Sequence, residues 1–309
     1  MIISLMGNFG KSYGQTCDEV WISRGLKELG IEVFENEIPE RVDLILGFKS
    51  NKFGAEQVKE WKKKAPVWLW TFDNCDRFAW VYPIIKECDL WLGEELGRRE
   101  RFIQEGLPFY YFPYHAVPPN VFKPLTFEKE YDVVFTGTPY DQESNPNKFE
   151  LLKAIDDKFD LHIFGNNPEG WKSRGFKNVH EPAFDEKLSE VYGKSEVAVA
   201  ISNCQCEGYW SIRTSQCLMC GIATLTRFTP QMEKELKDSV TYFQDIPTCL
   251  AKIDYLLSHE AERKALAERG HAYARILLTP VQRLKELLIL YENRDSITRF
   301  KRNRVSASD

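Results

Sequence analysis

The sequence of 309 residues has no apolar run that approaches the ~20 residues needed to cross a bilayer. Its first apolar run, from Ile2 to Met6, is short and has no basic region before it, so we expect no secretory signal. Positive charge is not in excess either, because 41 Lys and Arg against 46 Asp and Glu give a net charge of −5. We therefore expect a folded cytoplasmic protein without a transmembrane segment, and not a general cationic coat for nucleic acid.

Two common nucleotide-binding signatures are also missing. The loop over residues 7–12 ends in Gly10-Lys11-Ser12 like a P-loop, but that motif needs a glycine where this sequence has Leu5. No GxGxxG arrangement is present, so a nicotinamide cofactor has little support. We expect no bound cofactor.

The eight cysteines are expected to stay reduced in the cytoplasm. Cys204 and Cys206, followed by Cys217 and Cys220, have a spacing that could supply four thiolates to zinc. The first pair ends an apolar strand-like run and the second lies on an apolar helix face, where cysteine usually serves as a small hydrophobic residue. The sequence therefore predicts no metal site.

Short apolar and β-branched runs alternate with helical stretches, which is the order of parallel sheets with crossover helices. In the first part of the chain the predicted strands are 2–6, 31–34, 42–48, 66–71, 89–92 and 109–112. A linker is predicted next, because four prolines follow within a short stretch: Pro113, Pro118, Pro119 and Pro124. The later predicted strands are 131–136, 159–164, 196–202, 222–226 and 240–243. The pattern indicates two Rossmann-like domains.

The domain boundaries follow from this pattern. We predict a first domain over residues 1–125, on the acceptor side, and a second over 126–279 that binds the ligand. A helix over 280–293 is expected to return to the first domain, because its apolar stripe needs a partner surface and Pro280 fits its first turn. Residues 294–309 are expected to form a frayed basic tail.

The segment 206–221 is the densest polar feature of the sequence. Ser211 is predicted to cap a helix that Gly221 ends, which places Arg213 near the positive end of the helix dipole. A helix N-terminus combined with an arginine suits a diphosphate. We expect Arg213, together with Lys148, to neutralise this group in place of a divalent metal, because no carboxylate cluster lies beside the loop.

These features resemble those of a known protein family. The stretch from residue 131 to about 288 resembles the nucleotide-sugar-binding half of GT-B glycosyltransferases, and most closely the bacterial and phage group of spore-maturation-type proteins. The matching segments are 133–137, 161–165, 179–182, 208–214, Cys220-Gly221, Thr226 and Thr229-Pro230. The resemblance implies a GT-B fold, in which two Rossmann-like doubly wound domains face a central cleft. It also implies a glycosyltransferase that uses a nucleotide-sugar donor, expected to be UDP-linked.

The resemblance further indicates which residues bind the donor. They are Gly137, Thr138, Lys148, Phe164, Gly165, His180, Tyr209, Arg213, Thr214 and Gln216. Retaining relatives usually carry two glutamates, one contacting the donor sugar and the other the ribose. Here Glu207 and Gln216 are separated by one residue more than the usual spacing, and the second is an amide without the charge that strengthens such a bond. Glu207 is the expected catalytic contact, and we favour retention over inversion.

The first domain offers three residues for the acceptor side. Asp73 follows an apolar strand and could be the general base of an inverting enzyme, or it could cap the next helix. Asn8 and Gly10 lie in the glycine-rich turn, which either admits a ligand closely or only reverses the chain. His115 in the linker is expected to be structural.

The acceptor is left open by the sequence, and nucleic acid or a surface polysaccharide are the expected partners besides the nucleotide sugar. Lys59, Lys62, Lys63 and Lys64 form a basic run, and the tail forms another. Both are most simply solvated, but they could bind a polyanion such as DNA with a modified base, or an anionic membrane. A non-catalytic nucleotide-sugar-binding module is the remaining alternative.

Overall fold

A computed structural model describes residues 1–12, 15–48, 53–72, 78–140, 145, 147–203 and 205–294. Within these residues the chain forms two six-stranded parallel sheets, one after the other, and a two-stranded ribbon. Helices connect the strands of each sheet. The predicted fold class, two Rossmann-like doubly wound domains, is confirmed.

The first sheet has the strand order β4-β1-β5-β6-β7-β8, and the β2-β3 ribbon lies outside it. Its strands are β1 (Ile2–Met6), β4 (Glu32–Glu35), β5 (Leu44–Phe48), β6 (Val67–Trp70), β7 (Leu90–Gly93) and β8 (Phe109–Tyr111), and the ribbon consists of β2 (Lys11–Ser12) and β3 (Gln15–Thr16). Its helices are α1 (Asp18–Glu28), α2 (Ala55–Lys62), α3 (Phe78–Ile85) and α4 (Arg99–Gln104). The central strands β5, β6 and β7 are buried throughout, as expected of a parallel sheet whose two faces are both covered.

The second sheet has the strand order β11-β10-β9-β12-β13-β14. Its strands are β9 (Tyr131–Thr136), β10 (Leu161–Phe164), β11 (Asn178–His180), β12 (Ser195–Ala200), β13 (Ala223–Arg227) and β14 (Thr241–Phe243). The remaining helices are α5 (Lys148–Lys158), α6 (Pro168–Lys172), α7 (Glu186–Gly193), α8 (Ile212–Met219), α9 (Pro230–Leu236), α10 (Ile246–Ser258), α11 (Glu260–Leu277) and α12 (Pro280–Glu292).

In each sheet, successive strands are first added on one side of the starting strand and then on its other side, so the strand order reverses at one point. In the first sheet this switch point lies between β1 and β5, and in the second it lies between β9 and β12. Ligands of open α/β sheets bind at such points, beyond the carboxyl ends of the strands. The topology therefore directs attention to the loops that follow β1, β9 and β12.

Helix α12 packs on the first domain. Leu284, Leu287 and Leu290 are buried in the same apolar cluster as Ile22 and Leu26 of α1. The helices approach closely, because a Cβ added to Gly25 would lie 2.6 Å from Leu284 Cδ1. The chain thus leaves the first domain once and returns to it at its C-terminal helix.

No helix in the described part of the chain is long and apolar enough to cross a membrane.

Candidate functional site

Helix α8 begins where the sequence predicted. Ser211 Oγ accepts a hydrogen bond from the main-chain N–H of Arg213 at 3.3 Å, so Ser211 is the N-cap. Gly221 has a φ of +69° and donates its N–H to the carbonyl of Leu218, which ends the helix. The local signals for this helix were therefore sufficient to place it.

Arg213 spans the second switch point. Its Nη1 donates a hydrogen bond to the carbonyl of Ile201, directly after β12, and its guanidinium lies 5.1 Å from the ring of Phe135 on β9. A Cβ added to Gly137 would lie 2.9 Å from Arg213 Nη2, so this side chain also reaches the loop after β9. A fixed positive charge and a helix N-terminus therefore lie at the same point.

The loops after β9 and β10 are locked together by two glycines. A Cβ added to Gly165 would lie 1.7 Å from the carbonyl oxygen of Gly137, a distance that no side chain can occupy. Gly137 in turn donates its N–H to Phe164 O at 3.0 Å and accepts from Trp171 Nε1 at 3.1 Å. The backbone beside Arg213 is thereby held in one conformation.

Lys148 supports this loop from inside the protein. It is 1% exposed, and its Nζ donates to the carbonyl of Thr138 at 2.8 Å. The aromatic rings of Phe135, Phe149 and Trp171 lie 5.6–5.8 Å from the same ammonium, at cation–π distance. This ammonium therefore holds the loop after β9, and its expected contact with a donor diphosphate stays a prediction.

Phe164 and His180 lie farther along the sheet. Their rings stack at 4.3 Å, and His180 Nε2 is 2.8 Å from His162 Nδ1. Burial and the neighbouring His162 lower the pKa of His180. His180 is on the edge strand, two strands from β9 and therefore about 10 Å from the switch point.

The segment before α8 contacts the first domain. Glu207 is exposed, and its carbonyl accepts a hydrogen bond from the N–H of Leu96 at 2.7 Å. Tyr209 is buried beside Cys206, and Thr214 and Gln216 are buried within α8. Glu207 is thus the expected donor-site residue that meets the other domain.

Two further contacts across the domains were not visible in the sequence. Tyr111 Oη donates to the carbonyl of Gly208 at 2.8 Å and lies 3.0 Å from Glu235 Oε1. Glu235 Oε2 also accepts from Trp210 Nε1 at 3.1 Å. The carboxyl ends of the two sheets therefore face each other, with the segment before α8 held between Tyr111 and Glu235.

On the acceptor side, the glycine-rich turn is tied to the start of α1. Asn8 Nδ2 donates to Cys17 Sγ at 3.2 Å, and the carbonyl of Gly10 accepts from the N–H of Cys17 at 3.1 Å. These residues lie at the first switch point. Asp73 lies outside the described residues, as do 295–309 of the basic tail.

His115 lies in the linker, fully buried. Its ring stacks on Trp210 at 3.7 Å, and its carbonyl accepts from Ser215 Oγ at 2.5 Å. Its φ of +39° is uncommon for a residue with a side chain. The contacts join the linker to α8, which agrees with a structural role.

The lysines of the basic run are largely neutralised. Lys59, Lys62 and Lys63 form ion pairs with the carboxylates of Glu56, Asp89 and Glu60. This arrangement favours a solvated helix face over a polyanion-binding surface.

Two cysteines of the spacing that could suit zinc, Cys217 and Cys220, lie in apolar surroundings. Cys217 and Cys220 are buried in an apolar cluster, and burial raises the pKa of their thiols to about 11 and about 12. A zinc ligand has to be deprotonated, which these surroundings disfavour. Across the described ranges, no group of three His, Cys, Asp or Glu side chains could hold a metal ion.

Comparison with known proteins agrees with this architecture. Residues 148–289 match the family described as glycosyl transferase-like. No curated protein sequence matches the chain.

The sucrose-phosphate synthase of Thermosynechococcus elongatus is 10% identical, with a TM-score of 0.67 over 96% of this chain and 99% of that one. HepE of Anabaena, solved with UDP and glucose, is 11% identical, with a TM-score of 0.62 over 94% and 99% of the two chains. The DNA-modifying β-glucosyltransferase is 14% identical, with a TM-score of 0.64 over 96% and 100%. The chain therefore shares the two-domain GT-B fold of these proteins, and its residues 148–289 are similar to a family described as glycosyl transferase-like.

Proposed function

We propose that the chain transfers a sugar from a UDP-linked donor to an acceptor hydroxyl, with the donor diphosphate bound at the N-terminus of α8. The observation that carries this proposal is the position of Arg213 at the second switch point, between the ends of β9 and β12.

The chemistry of this point suits a diphosphate. The positive end of the helix dipole attracts an anion, and the guanidinium adds a full positive charge. The glycine pair after β9 and β10 lets the two loop backbones pack against each other, which fixes the loop beside Arg213 in place. HepE, which shares the fold, was solved with UDP.

We further propose that transfer needs no divalent metal. In metal-dependent enzymes, the cation offsets the negative charge that develops on the leaving diphosphate. Here Arg213 and the α8 N-terminus are available for the same task, since both lie where the diphosphate is expected.

The proposed mechanism is retaining. The leaving phosphate accepts the proton of the acceptor hydroxyl, and Glu207 orients the donor sugar from the segment that meets the first domain. In the inverting alternative, a base on the first domain takes this proton from the opposite face, and Asp73 is the candidate from the sequence.

Two measurements test the proposal. UDP-glucose, UDP-N-acetylglucosamine and UDP should raise the melting temperature, since a ligand at about 100 times its Kd adds ~2.7 kcal/mol to stability. No stabilisation by any UDP compound would refute the donor assignment. Transfer that is lost with EDTA and restored by manganese or magnesium would instead refute metal independence alone.

The stereochemistry is tested by product analysis and two variants. With retention, the anomeric configuration of the donor persists in the product, and Glu207→Gln lowers transfer more than Asp73→Asn does. With inversion, the configuration changes, and Asp73→Asn abolishes transfer while donor binding persists.

A further inference from the structure

A cavity of about 650 Å³ opens between the domains, beside the segment that precedes α8. Its walls come from the end of β8, from α9, from the end of α11 and from α12. Its lining residues include Tyr110, Tyr111, Glu235, Tyr273, Glu286 and Ile289. Its volume is within the usual range for sites that bind small molecules.

Two of these residues connect the cavity to the donor side. Tyr111 donates its hydroxyl to Gly208 O, and Glu235 accepts from Trp210 Nε1. Both partners belong to the segment that leads into α8. The wall of the cavity is therefore in contact with the segment that leads into α8.

The cavity combines apolar side chains with hydrogen-bonding groups. Tyr110 is 40% exposed and Ile289 is 58% exposed, so both present apolar surface to an incoming molecule. Glu286 and Asn293 add planar polar groups beside this surface. A pyranose ring, with an apolar C–H face and a rim of hydroxyls, fits both features.

The charges of the cavity disfavour an anion. Glu235 and Glu286 lie in its wall against one cation, Arg283, which pairs with Glu286 at 2.7 Å. A nucleic-acid phosphate or an acidic lipid headgroup would meet two carboxylates there. The surroundings favour a neutral, hydroxyl-rich molecule.

We propose that this cavity binds a neutral saccharide, at a site distinct from the proposed donor site. This inference goes beyond the proposed function, because none of the described residues that line the cavity is assigned to the donor.

The test measures glycan binding without transfer. The full chain is applied to an array of neutral and acidic glycans, and an array hit is then titrated by calorimetry. Tyr110→Ala and Ile289→Arg should each weaken binding of a neutral glycan at least about 10-fold, a change of ~1.4 kcal/mol. The matched control is Ile276→Arg, an exposed position on α11 outside the cavity lining, which should bind as the unaltered chain does.

The outcomes separate the inference from the proposed function. If UDP compounds stabilise the protein but no neutral glycan binds, or if Tyr110→Ala and Ile289→Arg bind as before, the cavity assignment is wrong and the donor assignment stands. Binding confined to acidic glycans or to a DNA duplex also overturns it. If neutral glycans bind in the expected manner while no UDP compound does, the cavity binds saccharide but the proposed donor is wrong.

Discussion

Thr16 Oγ1 donates a hydrogen bond to Asp185 Oδ2 at 2.8 Å, although the two residues belong to different domains. The main-chain N–H of Thr16 points to the same carboxylate, and Lys11 Nζ lies 4.0 Å from it. Asp185 is buried and has a φ of +51°, directly before α7. The β2-β3 ribbon beyond the first switch point is thereby held against the second domain.

Removing the hydroxyl of Thr16 should weaken this contact between the domains without unfolding either domain. Thr16→Val keeps the side-chain size and loses one hydrogen bond, worth about 0.5–1.5 kcal/mol, so kcat/KM should fall about 2- to 10-fold. Steady-state kinetics at varied donor concentration measures this effect. Thr126→Val, at an exposed linker position, is the control. Equal activity of both variants would show that the contact has no part in turnover.

Arg213 should carry much of the donor affinity. Arg213→Ala removes a charge-assisted interaction worth about 1.5–3 kcal/mol, which corresponds to a Kd about 10- to 150-fold higher. Calorimetric titration with UDP measures the change, and Arg213→Lys should recover part of it because the charge returns. Arg269→Ala, at a half-exposed surface position, is the control. If Arg213→Ala is folded and binds UDP as tightly as the control, Arg213 does not contact the donor.

Gly165 should tolerate no side chain. Gly165→Ala would force the new methyl into the carbonyl of Gly137, so the loops have to separate at a cost of about 1–3 kcal/mol. Urea denaturation measures the free energy of unfolding, and UDP affinity should fall with it. Gly54→Ala is the matched control, because a Cβ there meets nothing within 4 Å. Similar stabilities for the two variants would contradict the close approach of the loops.

Stability should depend on pH through His115. Burial, with Arg283 nearby, holds the pKa of His115 well below its ordinary value of 6.5. At neutral pH the ring is uncharged in both states, but below about pH 6.5 the unfolded chain takes up a proton that the folded chain excludes. The free energy of unfolding should therefore fall as the pH drops from about 7 to about 5.

His115→Phe tests this dependence. The variant should lose up to about 1.4 kcal/mol per pH unit from the slope below pH 6.5, while the contribution of His180, whose pKa is also lowered, remains. Urea midpoints at about pH 7.5 and about pH 5.5 supply the comparison. An unchanged slope would mean that His115 takes up its proton equally in both states.

The sequence predicted those parts of the molecule that depend on local signals. Eleven of the twelve strands in the two sheets were placed within two residues, because apolar runs bounded by turns leave few alternatives. The cap at Ser211 and the end at Gly221 were found for the same reason. Strand β11 was missed, since it has only three half-buried residues on a sheet edge.

The contacts between domains could not be predicted in this way. Nothing near Thr16 in the chain points to Asp185, and nothing near Tyr111 points to Glu235. The burial of Lys148 was equally hidden, because a lysine at a helix start is normally exposed and here three rings surround it. These features arise only when distant segments pack.

The position of α12 has a consequence for biosynthesis. During translation, α1 is synthesised early, and α12 is synthesised only after the whole second domain. In the folded protein, however, Ile22 and Leu26 of α1 share their apolar cluster with Leu284 and Leu287 of α12. Until residues 280–292 emerge, this side of α1 has no cover and exposes apolar surface to chaperones and to other nascent chains. The domain that is synthesised first therefore completes its core last.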